Sequence, residues 1–234
     1  PSRVVIEAKK RGLESIALTD HDTIYGIPEA IKEGQRVGLK VVSGIEIDSS
    51  FNSDGLLLNS VEILGLGFNL PLLESFAGQL AAQRLQLYLN IAERFNQYIT
   101  SDGFRQHNQN SKYPLVNPSC INAHDMVLWK CTWNGYFNPS PVFSNTEILF
   151  YIFDRFAPNI NLIGRTLQGD KSLLEEVMRE YGFLFDIHKN RPSSAHAIKQ
   201  IKDAGGLAVL AHPGLSALYL DGMLTREWEQ EERQ

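Results

Sequence analysis

No stretch of about 18 consecutive apolar residues occurs in this chain, which excludes a transmembrane helix on sequence grounds. Nor does a signal-peptide pattern open it. Cysteine is scarce: Cys120 and Cys131 are the only two, and neither has His or Cys neighbours at zinc-site spacing. A disulfide framework is therefore not expected, and a reducing compartment is the default. A cationic excess is missing too. With a formal net charge of −5, the chain offers no broadly basic surface for non-specific nucleic-acid binding. A phosphate-bearing substrate stays open, because bound cations can supply the positive field. Taken together, these absences predict a cytoplasmic chain without membrane contact.

What is present is an ordinary globular composition. The 234 residues, 43% of them hydrophobic, suffice for one large α/β domain or a domain carrying an insertion. The opening helix has Val4, Val5 and Ala8 on one face, Lys9-Lys10-Arg11 in its last turn and Gly12 as its stop. A strand at 15–19, a helix from Ile27 to Val37 and a strand from Lys40 to Ile47 follow. This alternation predicts a parallel sheet or barrel with crossover helices.

Polar residues 49–55 read as a loop, and Val61 to Phe68 as a third strand. The longest helix is expected over 72–99, with an apolar stripe of Leu73, Phe76, Leu80, Leu87, Ile91, Phe95 and Tyr98. Arg84 falls on that stripe, where it needs an anionic partner or must reach out to water. From Thr100 to Pro141 the pattern dissolves, apart from a short helix at 121–131 capped by Asn122. Residues 144–189 read as mostly helical, including Lys171 to Tyr181. The α/β pattern then resumes, with a helix beginning at Pro192-Ser193-Ser194 and a buried strand at 207–211. The charged tail 224–234 reads as a helix or a frayed end. Domain limits follow: 1–70 with 191–234 as one α/β body, and 71–190 as a mainly helical insertion.

Ionisable groups cluster where the strands end. Asp20-His21-Asp22 follows the first strand, Glu46 lies in the second, Glu62 in the third, and His212-Pro213-Gly214 follows the last. Two His and two Glu converging on one sheet edge would make a divalent-metal site. A carboxylate such as Glu46 could bridge two ions about 3.5–4 Å apart, as two-metal phosphoryl transfer requires. Mixed imidazole and carboxylate donors suit Zn, Mn or Fe more than Ca. Each residue also has a structural reading. Asp20 or Asp22 could cap a turn, His212 could be held by backbone, and Glu62 could face water. Arg84 could be an ion-pair partner or a phosphate ligand. Glu46 is the hardest to explain structurally, since a buried carboxylate without a partner is costly. His107, His124, His188 and His196 stand in polar or helical contexts and read as surface histidines.

These blocks carry a family resemblance. Glu7-Ala8-Lys9-Lys10-Arg11-Gly12-Leu13, Thr19-Asp20-His21-Asp22-Thr23, Gly44-Ile45-Glu46-Ile47 and Gly205-Gly206-Leu207-Ala208-Val209-Leu210-Ala211-His212-Pro213-Gly214 occur in the order found in the PHP (polymerase and histidinol phosphatase) family. The resemblance implies a distorted (β/α)7 barrel, incomplete at both ends here, with metals at the carboxyl ends of its strands. It implies metal binding by His21, Glu46 and His212, with Glu46 bridging. Asp20 and Asp22 are then ligands or catalytic neighbours of His21. The long insert resembles that of nucleotide 3′,5′-bisphosphate phosphatases and the related 5′–3′ exoribonuclease, which makes Arg84 and His124 substrate contacts. Glu62 stands where the family usually has His, and Glu can ligate the same metals. The family's opening His-x-His and closing Gly-x-Asp-x-His do not appear in this chain.

The reading is therefore a phosphoesterase that uses divalent Mn, Zn, Fe or Mg. It would hydrolyse a phosphomonoester of a nucleotide or an RNA end. The alternatives are a non-catalytic PHP-like binding or structural module, and a histidinol-phosphate phosphatase.

Overall fold

A computed structural model of the chain describes residues 1–53, 56–133, 145–185 and 190–212. His188, Pro213-Gly214 and the expected element at 224–234 lie outside the described residues. The chain falls into two compact units, Pro1–Ala81 with Asn190–Gln234, and Ala82–Lys189.

In the first unit, α1 (Ser2–Lys10) ends on Lys9 and Lys10, and Gly12 takes a φ of +79° that lets the chain turn into β1 (Ser15–Leu18). Helix α2 (Ile27–Val37) has Pro28 in its first turn and stops at left-handed Gly38. It forms the crossover that carries the chain to β2 (Lys40–Ser53), which pairs parallel with β1 from Ser15 opposite Lys40 to Leu18 opposite Ser43. β3 (Leu56–Leu66) then runs antiparallel to β2, and β4 (Leu207–Leu210) antiparallel to β3. Helix α9 (Ser194–Asp203) precedes β4 and is capped by Ser193, whose hydroxyl accepts from His196 N–H.

Several expectations need correction. The strand at 207–211, expected to be buried, exposes Leu207, Val209 and Leu210. The polar stretch 49–55 is not wholly loop, because β2 continues to Ser53 and β3 begins at Leu56. Only two residues separate these strands, too few for the crossover that parallel pairing demands. The sheet is accordingly mixed rather than parallel. Among the described residues it has four strands in the order β1-β2-β3-β4, and these do not close into a barrel.

The pleat of the β2–β3 hairpin sorts its side chains. Ile45, Ile47 and Ser49 are buried, opposite Gly65, Ile63 and Val61. The isoleucines join Val5, Ile27, Leu73 and Ile201 in the core. Glu46, Asp48 and Glu62 fall on the other face, with Asp48 directly opposite Glu62. The chemistry stands on that second face.

Helix α3 (Leu70–Thr100) carries the expected stripe: Leu73, Phe76 and Leu80 enter the first core, and Ile91 and Phe95 the second. The second unit continues through α4 (Asp102–Asn110), α5 (Ala123–Trp133), α6 (Asn145–Phe156), α7 (Leu162–Leu167) and α8 (Lys171–Tyr181). α4 replaces the irregular chain expected there. It buries no residue, so it lacks the apolar periodicity that marks a helix in sequence. Asn122 does cap α5, its side-chain oxygen accepting from Asp125 N–H at 2.9 Å. No helix among the described residues is long and apolar enough to cross a membrane.

Candidate metal centre

Backbone hydrogen bonds bring the chemical side chains together. Past the end of β1, the chain continues alongside β2: Glu46 N–H donates to Asp20 O at 3.2 Å, and Asp22 N–H donates to Glu46 O at 2.8 Å. His21, between them, is thereby bridged to Glu46. Past the end of β4, Ala211 N–H donates to Glu62 O at 2.9 Å, which sets His212 beside Glu62. Asp22 and His212 adopt left-handed φ values of +51° and +47°. That backbone region is disfavoured for side-chain-bearing residues and recurs at functional sites.

The Glu46 carboxylate is the hub. One oxygen lies 3.4 Å from His21 Nε2 and the other 3.3 Å from His212 Nε2. His212 Nε2 is also 3.6 Å from a Glu62 oxygen. His21, Glu46 and Glu62 each place one donor atom within 4.8 Å of the other two. Glu46 is only 12% exposed, whereas His21 and His212 are about half exposed, so the donors line a wall open to solvent.

The donor set fits a divalent metal. Ligand atoms at about 2.1 Å from a tetrahedral ion stand about 3.4 Å apart, matching these His–Glu separations. Two imidazoles with two carboxylates suit Zn, Mn or Fe.

Not every expected residue points into this cluster. Asp22 is buried, and its carboxylate accepts from Asp48 N–H at 2.9 Å, which ties the turn after β1 to β2. Asp20 is exposed, with one carboxylate oxygen beside Gly26. Arg84 and His124 belong to the second unit. The Arg84 guanidinium lies 3.5 Å from the Tyr88 hydroxyl, and His124 is exposed in the first turn of α5. His196 is exposed as expected, its ring edge-on to Phe76. His107 is half-buried against Tyr98, Tyr181 and Phe183, which corrects its reading as a surface residue. Four aromatic and imidazole groups from three segments make that cluster, a placement no local pattern encodes.

Two residues escaped the sequence reading. Asp48 lies on the Glu46 face, and its carboxylate forms an ion pair at 2.8 Å with Arg191, both about 15% exposed. The signal was the period-two continuation Glu46-Ile47-Asp48, hidden because the polar run after Ile47 resembled a loop.

Known proteins share segments and the fold of this chain. The profile of the PHP domain matches residues 1–138. Over 84 residues the chain is 37% identical to a phosphoribosyl 1,2-cyclic phosphate 1,2-diphosphodiesterase of Eggerthella lenta, covering 35% of this chain and 31% of that protein. Over 69 residues it is 36% identical to a 5′-3′ exoribonuclease of Haemophilus influenzae, covering 30% of this chain and 23% of that one. The matched segments thus span only a minor part of either relative. Two solved structures share the fold. One, from Bifidobacterium adolescentis, is provisionally described as a metal-dependent phosphoesterase; its TM-score is 0.55 at 20% identity, covering 91% of this chain and 61% of that one. The other is an amidohydrolase from Chromobacterium violaceum with bound sulfate and no metal; its TM-score is 0.56 at 22% identity, covering 94% and 67%.

Proposed function

Because this chain belongs to the PHP domain family, we propose that it is the metal-holding part of a phosphoesterase acting on a phosphorylated nucleotide or RNA end. The observation that carries the reading is the single Glu46 carboxylate shared between the Nε2 atoms of His21 and His212. His21, Glu46, Glu62 and His212 hold divalent metal in this proposal, with Glu46 as the bridging group. When bound, such ions neutralise phosphate charge and lower the pKa of water to make a nucleophile. The half-exposed histidines leave the cluster accessible to substrate, while the buried carboxylates of Glu46 and Asp22 fix the wall behind it.

Asp20, exposed and next to His21 in the chain, is proposed as the carboxylate that orients substrate or accepts a proton. The family resemblance alone supports Arg84 and His124 as phosphate contacts. The four-stranded sheet is proposed to form part of the family's distorted (β/α)7 barrel, and 71–190 to be its insertion.

Elemental analysis of the purified chain, paired with phosphate release from adenosine 3′,5′-bisphosphate in Mn²⁺, tests the reading. A ribose 1,2-cyclic phosphate and a 5′-phosphorylated oligoribonucleotide serve as alternative substrates. Bound metal with turnover that His212→Ala abolishes supports it. A chain that takes up no metal and hydrolyses none of the three, with opening of the cyclic phosphate and release of 5′-mononucleotide followed by chromatography, refutes it and favours a binding or structural module.

A further inference from the structure

We infer that Arg191 is a positioning residue for His21, acting through Asp48 and Asp22; the inference deepens the proposed metal role of His21 and rests on it. The route is continuous. Ser50 N–H donates to Pro192 O at 2.9 Å, and Ser50 and Ser193 form a parallel bridge, so the segment before α9 lies along the end of β2. This register sets Arg191 beside Asp48, where Nε and Oδ1 are 2.8 Å apart. The backbone N–H of Asp48 in turn donates to the Asp22 carboxylate at 2.9 Å. Asp22 adjoins His21 in the chain.

Two features give this route a purpose. Glu46, Asp48 and Glu62 occupy one face of the hairpin, and Asp48 stands directly opposite Glu62. Like charges placed so are mutually destabilising, and a cation among them offsets the repulsion. Arg191 supplies it from a site only 15% exposed, where screening by water is weak. Asp22, for its part, is 4% exposed in a left-handed conformation, and its carboxylate needs a donor to remain there. Loss of Arg191 lets Asp48 swing from its charge neighbours, displaces the N–H that Asp22 requires, and frees the turn bearing His21. Outer partners of metal ligands act in this way by fixing ligand orientation.

The test uses the full 234-residue chain, labelled at histidine, in metal-free buffer. Arg191→Met and Asp48→Asn should each shift the His21 imidazole resonance, and Arg191→Lys should return most of it. The His107 and His124 resonances, from the second unit, should stay in place and report an intact fold. A His21 resonance unmoved in both variants overturns the inference. So does a shift in Arg191→Met that Asp48→Asn lacks, since the route through Asp48 would then be wrong. Should Arg191→Met fail to fold, Asp48→Asn and Arg191→Lys decide by the same signal.

Titration with Co²⁺ is the second readout, followed by its visible absorption. Arg191→Met should bind about 10-fold more weakly than the parent chain. Equal affinity overturns the inference. A parent chain that takes up no Co²⁺, with the His21 shift present, overturns the metal reading and leaves the Arg191 brace standing.

Discussion

Glu46 and His212 approach to 3.3 Å across β3, although β2 and β4 are far apart in the chain. Glu46 is mostly buried and touches both histidines, so it is the side chain whose loss should matter most. Glu46→Gln keeps the shape but removes the charge that draws cations. Its Co²⁺ affinity should fall by more than the roughly 10–100-fold that outer-partner changes cause. Isothermal titration checks this, and parent-like affinity would remove Glu46 from the metal site.

Metal should also stabilise the fold, because a cluster assembled from four separate segments exists only in the folded chain. At Mn²⁺ 100-fold above its Kd, mass action adds about 2.7 kcal/mol. For a chain of this size that raises Tm by about 5–10 °C. Thermal scans in Mn²⁺ and in EDTA measure the difference, which His21→Ala and His212→Ala should erase. Equal melting in the two buffers would count against a site at this cluster.

Gly44 sits two residues before Glu46, where β2 passes close to the end of β1. A Cβ there would meet Leu18 O at 2.6 Å and the Thr19 methyl at 2.8 Å. The carbonyl belongs to the backbone leading to His21 and cannot retreat without disturbing the parallel pairing. Gly44→Ala should cost about 1–3 kcal/mol as an overpacked site and weaken metal binding with it. Chemical denaturation measures the first, Co²⁺ titration the second. A variant as stable as the parent would show that β1 yields freely.

Much of this is legible in the sequence, for definite reasons. Apolar strands that end abruptly in Asp20-His21-Asp22 and His212 are local signals, and Glu46 stood out against isoleucines on both sides. Helices α2 and α9 are marked in the sequence by their stops and caps. The antiparallel turn at β2–β3 was missed because Ser49-Ser50-Phe51-Asn52-Ser53 is polar enough to pass for loop. Ser49 belongs to the core only because its hydroxyl donates to Val61 O and meets Ser194 Oγ at 2.9 Å. Arg191 was invisible as a partner of Asp48 since their pairing depends on tertiary register. Long-range pairing leaves no trace in a local window.

The second unit gives a prediction with a defined sign in pH. Tyr181 is fully buried in the core, and its hydroxyl donates to Tyr113 O at 2.9 Å. Burial pushes its pKa up to about 12; the Ser111 hydroxyl opposes the shift and the Glu180 charge adds to it. In the unfolded chain a tyrosine titrates near 10. The stabilisation from neutral Tyr181 is thus complete below about pH 10 and is lost as pH rises towards about 12. Tyr98 and Tyr151, raised chiefly by burial, slope the same way. Tyr181→Phe should lose about 1 kcal/mol at pH 8, the worth of one buried hydrogen bond. Between pH 10 and 11.5 it should then decline less steeply than the parent chain, because one of the titrating groups is gone. Urea unfolding across that range, followed by far-UV circular dichroism, gives both slopes. Parallel slopes would mean that Tyr181 ionises as readily in the folded unit as in the unfolded chain.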